Sequence, residues 1–293
     1  MNWWKSLKGK VKLQEPLKKH TAFKIGGPAK YFIEPNDIRD LKLLLNLLKR
    51  YKIPFWVMGA ASNILVSDNG IYGAVLRLSS PYFKKVVLKD NSFTLGSGVL
   101  LNQVVLSAQR YGLSGVEFLA GIPGTLGGAL IMNAGIPEKN IGELVEAVTV
   151  IDYNGKIKAL SGRDIKFGYR ISNLSKYIIL SASIKLVKKK RQVIQDNIKR
   201  YLDYRRLRQD LSRPSAGCVF KNPLGYSAGK LIDLCGLKGR RIKDAYISKR
   251  HANFILNLGK AKAKDVCKLM GLIKKEVKRK FNITLEPEIK IWQ

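Results

Sequence analysis

The stretch from Leu119 to Gly135, LAGIPGTLGGALIMNAG, constrains this chain more than any other. It carries Gly121, Gly124, Gly127, Gly128 and Gly135 together with Pro123, and no charge, in a sequence otherwise crowded with lysine. Each glycine weakens a helix interior by about 1 kcal/mol against alanine, and in a strand it packs nothing. Such a run suits backbone that approaches something closely, with amide N–H groups turned toward it. Two readings stand at this point. One is a buried crossover where two layers touch; the other is a cradle for a phosphate or cofactor, as in known glycine-rich loops.

Length and composition narrow the setting. A chain of 293 residues can bury a large core in two or three domains. It has no run of eighteen apolar residues, so no membrane span is expected. MNWWKSLKGK lacks an apolar core and cleavage site, so no signal peptide is expected either. Cys218, Cys235 and Cys267 are widely spaced, which fits a reducing cytoplasm and not a disulfide framework or zinc site. His20 and His251 are the only histidines, so no metal is expected. The net charge of +33 is spread along the chain, as lysine filling solvent-facing positions would be. It would also steer an anionic ligand, but it identifies no partner.

Read in order, Ala29–Glu34 is a short strand stopped by Pro35, and Asn36 or Asp37 caps a helix with apolar Ile38, Leu41, Leu44, Leu45 and Leu48. Phe55–Met58 reads as a buried strand and Ala74–Leu78 as another, giving a small α/β layer structure. A second unit starts near Tyr82. It has hairpins at Asp90-Asn91 and Asn154-Gly155, a helix from about Leu100 to Tyr111 closed by Gly112, and a strand over Tyr177–Leu186. Beyond Lys188 come a charged helix to Arg208, a helix near Ala228–Leu234, a strand around Asn253–Asn257 and a long helix with Val266, Met270, Ile273 and Val277 on one face. Ile283–Trp292 reads as a strand interrupted at Pro287.

The common nucleotide fingerprints are absent. Gly225–Leu231 has one residue too few for a P-loop and no Ser or Thr after Lys230, and Gly96-Ser97-Gly98 lacks the third glycine of a dinucleotide site. What remains is a pair of small-residue turns: Gly59, Ala60, Ala61, Ser62 and Asn63 directly after a strand, and Gly121–Gly135. Both can present N–H groups to a diphosphate.

Through motifs that include these two turns, the chain resembles the UDP-N-acetylenolpyruvoylglucosamine reductase family, also called UDP-N-acetylmuramate dehydrogenases. The resemblance runs from about His20 to Ile291. It rests on HTAFKIGG (His20–Gly27), MGAASNILVSDNG (Met58–Gly70), GVEFLAGIPGTLGGALIMNAG (Gly115–Gly135), FGYR (Phe167–Arg170), SAGCVFKNP (Ser215–Pro223), SAGKLID (Ser227–Asp233) and LEPEIKI (Leu285–Ile291). It implies an α+β chain with a two-subdomain FAD-binding fold of the vanillyl-alcohol-oxidase/cresol-methylhydroxylase type and a C-terminal α/β substrate domain. The expected segments are 1–80 and 81–188 for FAD, 189–281 for substrate, and 282–293 as a strand returning to the active site.

Further expectations follow from the resemblance. Non-covalent FAD would lie against Gly59–Asn63, where Ala61 replaces the family's second glycine. It would also meet Gly121, Ile122, Pro123, Gly124, Thr125, Gly127, Gly128, Asn133 and Gly135. NADPH would reduce the flavin and UDP-N-acetylglucosamine enolpyruvate would reoxidise it, in turn, in one cleft. Arg170 and Glu288 would stabilise the enolate, Cys218 would stand where most members have the proton-donating serine, and Asn222 and Lys221 would meet substrate. The short run from Arg170 to Tyr177 implies the second type, without the tyrosine lid loop. The implied enzyme is cytoplasmic and monomeric, serves peptidoglycan synthesis, and has no nucleic-acid or membrane partner. Its rivals are another flavoprotein of the superfamily, some of which tether flavin through histidine, and a colourless basic nucleic-acid-binding protein.

Overall fold

The computed structural model describes residues 3–293; Met1 and Asn2, at the head of the expected 1–80 segment and of the stretch read for a signal peptide, lie outside the described residues. The chain forms two compact units. One holds the residues up to Leu13, Tyr31–Ala60 and Gly73–Asp203; the other holds Gln14–Lys30, Ala61–Tyr72 and Tyr204–Gln293. Among the described residues, no helix is long and apolar enough to cross a membrane.

In the first unit, helix α1 (Ile38–Arg50) begins where Asp37 accepts the N–H groups of Arg39 and Asp40 at 2.8 and 2.9 Å. Its Leu41, Leu44, Leu45 and Leu48 are buried, each worth about 1.5–3 kcal/mol of gross burial. A four-stranded sheet has the order Lys10–Pro16, Pro28–Glu34, Ile71–Arg77 and Phe55–Met58, with the last two parallel. Phe55–Met58 is thus an edge strand, not the buried one expected; Val57 is 40% exposed and only Met58 is buried. A five-stranded antiparallel sheet follows, in the order Ile157–Ser161, Val145–Ile151, Ile178–Lys185, Ser92–Gly96 and Val86–Lys89. Both expected hairpins lie in it. Helix α2 (Leu101–Arg110) ends at Tyr111, and Gly112, at φ 65°, makes the left-handed stop. The six-residue helix α3 (Leu126–Ile131) lies inside the glycine-rich stretch. Phe93, Leu95, Phe118, Leu126, Leu130 and Val148 join one core around these elements.

Helix α4 (Arg191–Arg208) buries only Ile194, as its charged sequence requires. In the second unit a four-stranded sheet has the order Ser215–Cys218, Phe254–Asn257, Ala245–Ile247 and Arg241–Ile242. Helices α5 (Ala228–Leu234) and α6 (Ala263–Phe281) share a core with it. The face of α6 with Val266, Met270, Ile273 and Val277 is buried in that core. The C-terminal strand is shorter than expected. Only Lys290–Trp292 is extended and paired, parallel to Ile64–Val66, while Pro287 makes an isolated bridge to Phe220.

Candidate active site

The glycine-rich stretch proves to be both a packed crossover and an open surface. Leu126 N–H donates to Val99 O at 2.8 Å and Gly127 N–H to Ser97 O at 2.9 Å, bolting the start of α3 onto the segment before α2. A Cβ on Gly127 would press Ser97 Cβ at 3.1 Å. Yet Gly121 and Pro123 are exposed, and Ile122, Gly124, Gly127 and Gly128 are half-buried, so one side of the stretch faces outward. Gly121 needs its freedom at φ 75°. Thr125 caps α3, its Oγ1 accepting Gly128 N–H at 3.4 Å.

Gly59 follows the edge strand and meets the same threonine. A Cβ built on Gly59 would come under 3.0 Å from Thr125 Oγ1, closer than real Cβ atoms stand. Ala61, the departure from the family pattern, sits at φ 52° in the left-handed region, which alanine occupies at about 1–2 kcal/mol. Its carbonyl accepts Ala22 N–H at 3.1 Å. The residues present fit a flavin: outward-facing glycines suit close approach of a planar group. Beside Gly127, Ser97 Oγ is buried with no hydrogen-bond partner among the described residues, a hydroxyl that a bound group would satisfy.

Arg170 is presented by a hairpin of minimal length. Phe167–Gly168 pairs with Ile171–Ser172, leaving Tyr169 and Arg170 as the turn, with Arg170 at φ 58°. Arg170 Nη1 donates to Gly135 O at 3.3 Å, and its guanidinium lies over the Tyr169 ring at 5.3 Å. Buried Asn133 donates from Nδ2 to Gly168 O at 3.0 Å and accepts Gly142 N–H on Oδ1 at 3.1 Å.

In the second unit Cys218 and Glu288 are brought onto adjacent segments. Gly217 turns at φ 76° and delivers Cys218, whose strand pairs with Phe254. Glu288 N–H donates to Val219 O at 2.8 Å, and Lys221 N–H to Glu286 O at 2.9 Å. On the other flank Asn253 brackets Phe220: its Oδ1 accepts Phe220 N–H at 2.9 Å and its Nδ2 donates to Phe220 O at 2.8 Å. Asn63 Nδ2 donates to Glu288 O at 3.2 Å, and Lys290 N–H to Asn63 O at 2.9 Å. Asn63 and the glutamate therefore share one local frame. Asn222 Oδ1 accepts Ala228 N–H at 3.0 Å, and Lys221 Nζ pairs with Glu286 at 3.2 Å, an exposed contact of little energetic worth.

Sequence reasoning did not find the bracketing residues. Asn253 stands next but one to His251, whose Nδ1 accepts Asn253 N–H at 3.2 Å. Burial pushes the His251 pKa below 6.5, favouring the neutral ring that this bond uses. Ser248 Oγ accepts the N–H groups of Arg250 and His251, both at 3.0 Å, and donates to Asp210 at 2.6 Å. Burial raises the Asp210 pKa, but hydrogen bonds from Ser212 and Ser248 outweigh it and hold the carboxyl below its ordinary range. The nearest sequence signal was the polar run around His251-Ala252-Asn253, which carries no recognisable spacing.

Residues 29–161 match the FAD binding domain family, and residues 209–292 match the family described as UDP-N-acetylenolpyruvoylglucosamine reductase, C-terminal domain. A UDP-N-acetylenolpyruvoylglucosamine reductase of Caldanaerobacter subterraneus is 43% identical over 285 residues, covering 97% of this chain and 94% of that protein. The crystal structure of UDP-N-acetylenolpyruvylglucosamine reductase from Thermus caldophilus matches with a TM-score of 0.84 at 37% identity, covering 98% of this chain and 100% of that one. A solvent-stable cholesterol oxidase shares the fold alone, with a TM-score of 0.51 at 13% identity over 61% of this chain and 38% of that one. The α+β architecture with an FAD-binding domain, implied by the family resemblance, is thus present.

Proposed function

Because the chain belongs to the UDP-N-acetylenolpyruvoylglucosamine reductase family, we propose that it reduces the enolpyruvyl group of UDP-N-acetylglucosamine enolpyruvate to UDP-N-acetylmuramate, using NADPH, for peptidoglycan synthesis in the cytoplasm. The observation that carries this reading is the match to relatives named for that reaction over 97% of the chain. We assign residues 1–80 and 81–188 to the two FAD-binding halves, 189–281 to substrate binding, and 282–293 to the strand returning to the active site. The enzyme works as a monomer, without nucleic-acid or membrane partners.

Gly59, Ala60, Ala61, Ser62 and Asn63, with Gly121, Gly124, Thr125, Gly127, Gly128 and Gly135, hold FAD non-covalently through close backbone approach and N–H groups. Ile122 and Pro123 supply its wall. The chemistry a bound FAD supplies is hydride relay from NADPH to the methylene carbon of the enol ether. As that carbon gains a hydride, the double-bond pair shifts onto the neighbouring carbon and its carboxylate. Arg170 supplies a cation to the developing charge, and Glu288 serves as the acid that hydrogen-bonds the same carboxylate. Cys218 then gives its thiol proton to that neighbouring carbon, and the thiolate is reprotonated from solvent. A thiol, with an ordinary pKa of about 8.5, is a stronger acid than the serine hydroxyl most members use. The product has gained one hydride and one proton, NADP+ having left the cleft before the sugar nucleotide entered it. Asn222 and Lys221 hold the sugar nucleotide.

Mass spectrometry of a reaction containing the protein, NADPH and the enolpyruvyl sugar nucleotide tests this. The account expects conversion to UDP-N-acetylmuramate with matching NADPH loss. An unchanged sugar nucleotide would overturn it.

A further inference from the structure

The hairpin that carries Arg170 has two residues per strand, extended by Asn173 N–H donating to Lys166 O at 3.1 Å and Lys166 N–H to Asn173 Oδ1 at 3.2 Å, still too short to hold itself, since even longer isolated hairpins are marginal in water. Its position must come from outside, and the polar contacts at hand lead to the end of the glycine-rich stretch. Ser172 Oγ donates to Ile131 O at 3.1 Å, Arg170 Nη1 to Gly135 O at 3.3 Å, and Asn133 Nδ2 to Gly168 O at 3.0 Å. Of the three, the Asn133 contact leaves least freedom. Asn133 is 7% exposed and its other amide end takes Gly142 N–H at 3.1 Å, so rotating the amide breaks two bonds at once. Gly142 in turn has no room for a Cβ against the Phe167 ring, which locks the partner turn onto the same hairpin.

The residue type fits the place. Asn133 lies at φ 43°, which asparagine tolerates better than most side chains. A carboxamide alone offers a donor toward Gly168 and an acceptor toward Gly142 at this reach. Aspartate would lack the donor, glycine both groups, and glutamine would be a carbon too long.

We infer that Asn133 is a positioning residue for Arg170: by bridging Gly142 N–H and Gly168 O it sets where the FGYR turn places the guanidinium, two residues on. The inference rests on the enolate-stabilising role proposed for Arg170. This role replaces the cofactor contact that the resemblance implies for Asn133: positioning of Arg170 predicts flavin binding and flavin reduction near wild type and an effect on transfer to the enolpyruvyl substrate.

The test uses the full-length flavoprotein in anaerobic stopped flow, following the flavin absorbance. Wild type, Asn133→Gly, Asn133→Asp and Arg170→Lys are each reduced with NADPH and then mixed with UDP-N-acetylglucosamine enolpyruvate. Asn133→Gly keeps the backbone angle without strain and removes both bonds. Asn133→Asp keeps the angle and the Gly142 bond, and so remains informative if the glycine variant folds poorly. The expected result is full flavin content, NADPH reduction within about twofold of wild type, and reoxidation slowed about 100-fold, the scale of an ångström's misplacement of a reacting group. Reoxidation at the wild-type rate in either folded variant overturns the inference. So does loss of FAD, or equal slowing of both half-reactions, since either marks a cofactor or general structural role. Failure of the parent reading looks different: reduced wild type would not be reoxidised by the sugar nucleotide, or Arg170→Lys would be reoxidised at the wild-type rate.

Discussion

Replacing Gly59 with alanine tests how the two small-residue elements meet. The new Cβ would stand under 3.0 Å from Thr125 Oγ1 but an ordinary 3.7 Å from Thr125 Cβ, so the obstruction is the hydroxyl. Relief requires either rotating Thr125, which gives up its cap on Gly128 N–H, or separating the two backbones. Overpacking costs about 1–3 kcal/mol and a lost cap about 0.5–1 kcal/mol more, so Gly59→Ala should destabilise by about 2–3 kcal/mol. Thr125→Ala alone loses the cap and some buried methyl, about 1–2 kcal/mol. In the double variant the obstructing atom is gone, so its total should stay near the Thr125→Ala value. The cycle should therefore show about 2 kcal/mol of coupling, well outside the roughly 0.5 kcal/mol expected of independent sites. Urea unfolding of the four proteins, followed by far-ultraviolet circular dichroism, measures it. Additive single effects, or a neutral Gly59→Ala, would refute the argument.

Ala61→Gly should change stability by less than about 1 kcal/mol in the same assay, because relief of the left-handed strain at φ 52° is offset by the added chain entropy and the loss of a buried methyl; a larger change in either direction would contradict this. Cys218→Ala should leave NADPH reduction of the flavin intact and slow the second half-reaction about 100-fold, with Cys218→Ser recovering part of it; slowing of neither half would remove Cys218 as the donor. Burial lowers the His251 pKa below 6.5, so between the folded and unfolded pKa values the unfolded chain binds more protons. The stability this confers is present above about pH 6.5 and is lost as pH falls below it. His251→Asn, which keeps an acceptor for Asn253 N–H, should lose less stability than wild type between about pH 7.5 and about pH 5.5, and equal losses would contradict the assignment.

Local rules made much of the fold readable. The leucine period and Asp37 cap mark α1, Gly112 marks the end of α2, and Asp90-Asn91 and Asn154-Gly155 mark the two hairpins. Misreadings arose where distant segments decide. Phe55–Met58 is apolar enough to read as buried, but which neighbours it has depends on sheet order, which its own residues do not carry. The strand Lys10–Pro16 is hard to read because, although Val11 and Leu13 alternate with Lys10, Lys12 and Gln14, its burial does not follow that alternation and Leu13 is 51% exposed. The last strand was read too long: Pro287 bridges Phe220, and pairing begins only at Lys290, beside Ile64–Val66. At the candidate site, the family resemblance picked out Arg170, Cys218 and Glu288 as residues. It could not show that Gly59 is small because Thr125 stands opposite, or that Asn253 grips Phe220 next to the Cys218 strand. Those reasons lie in atoms many residues apart.

The central claim, that a flavin on this chain takes hydride from NADPH and gives it to an enolpyruvyl sugar nucleotide, is tested most directly in one cuvette. The purified protein should show flavin absorption bands that bleach when NADPH is added without oxygen and return when UDP-N-acetylglucosamine enolpyruvate follows. A colourless protein, or a bleached flavin that the sugar nucleotide leaves reduced, would contradict the account.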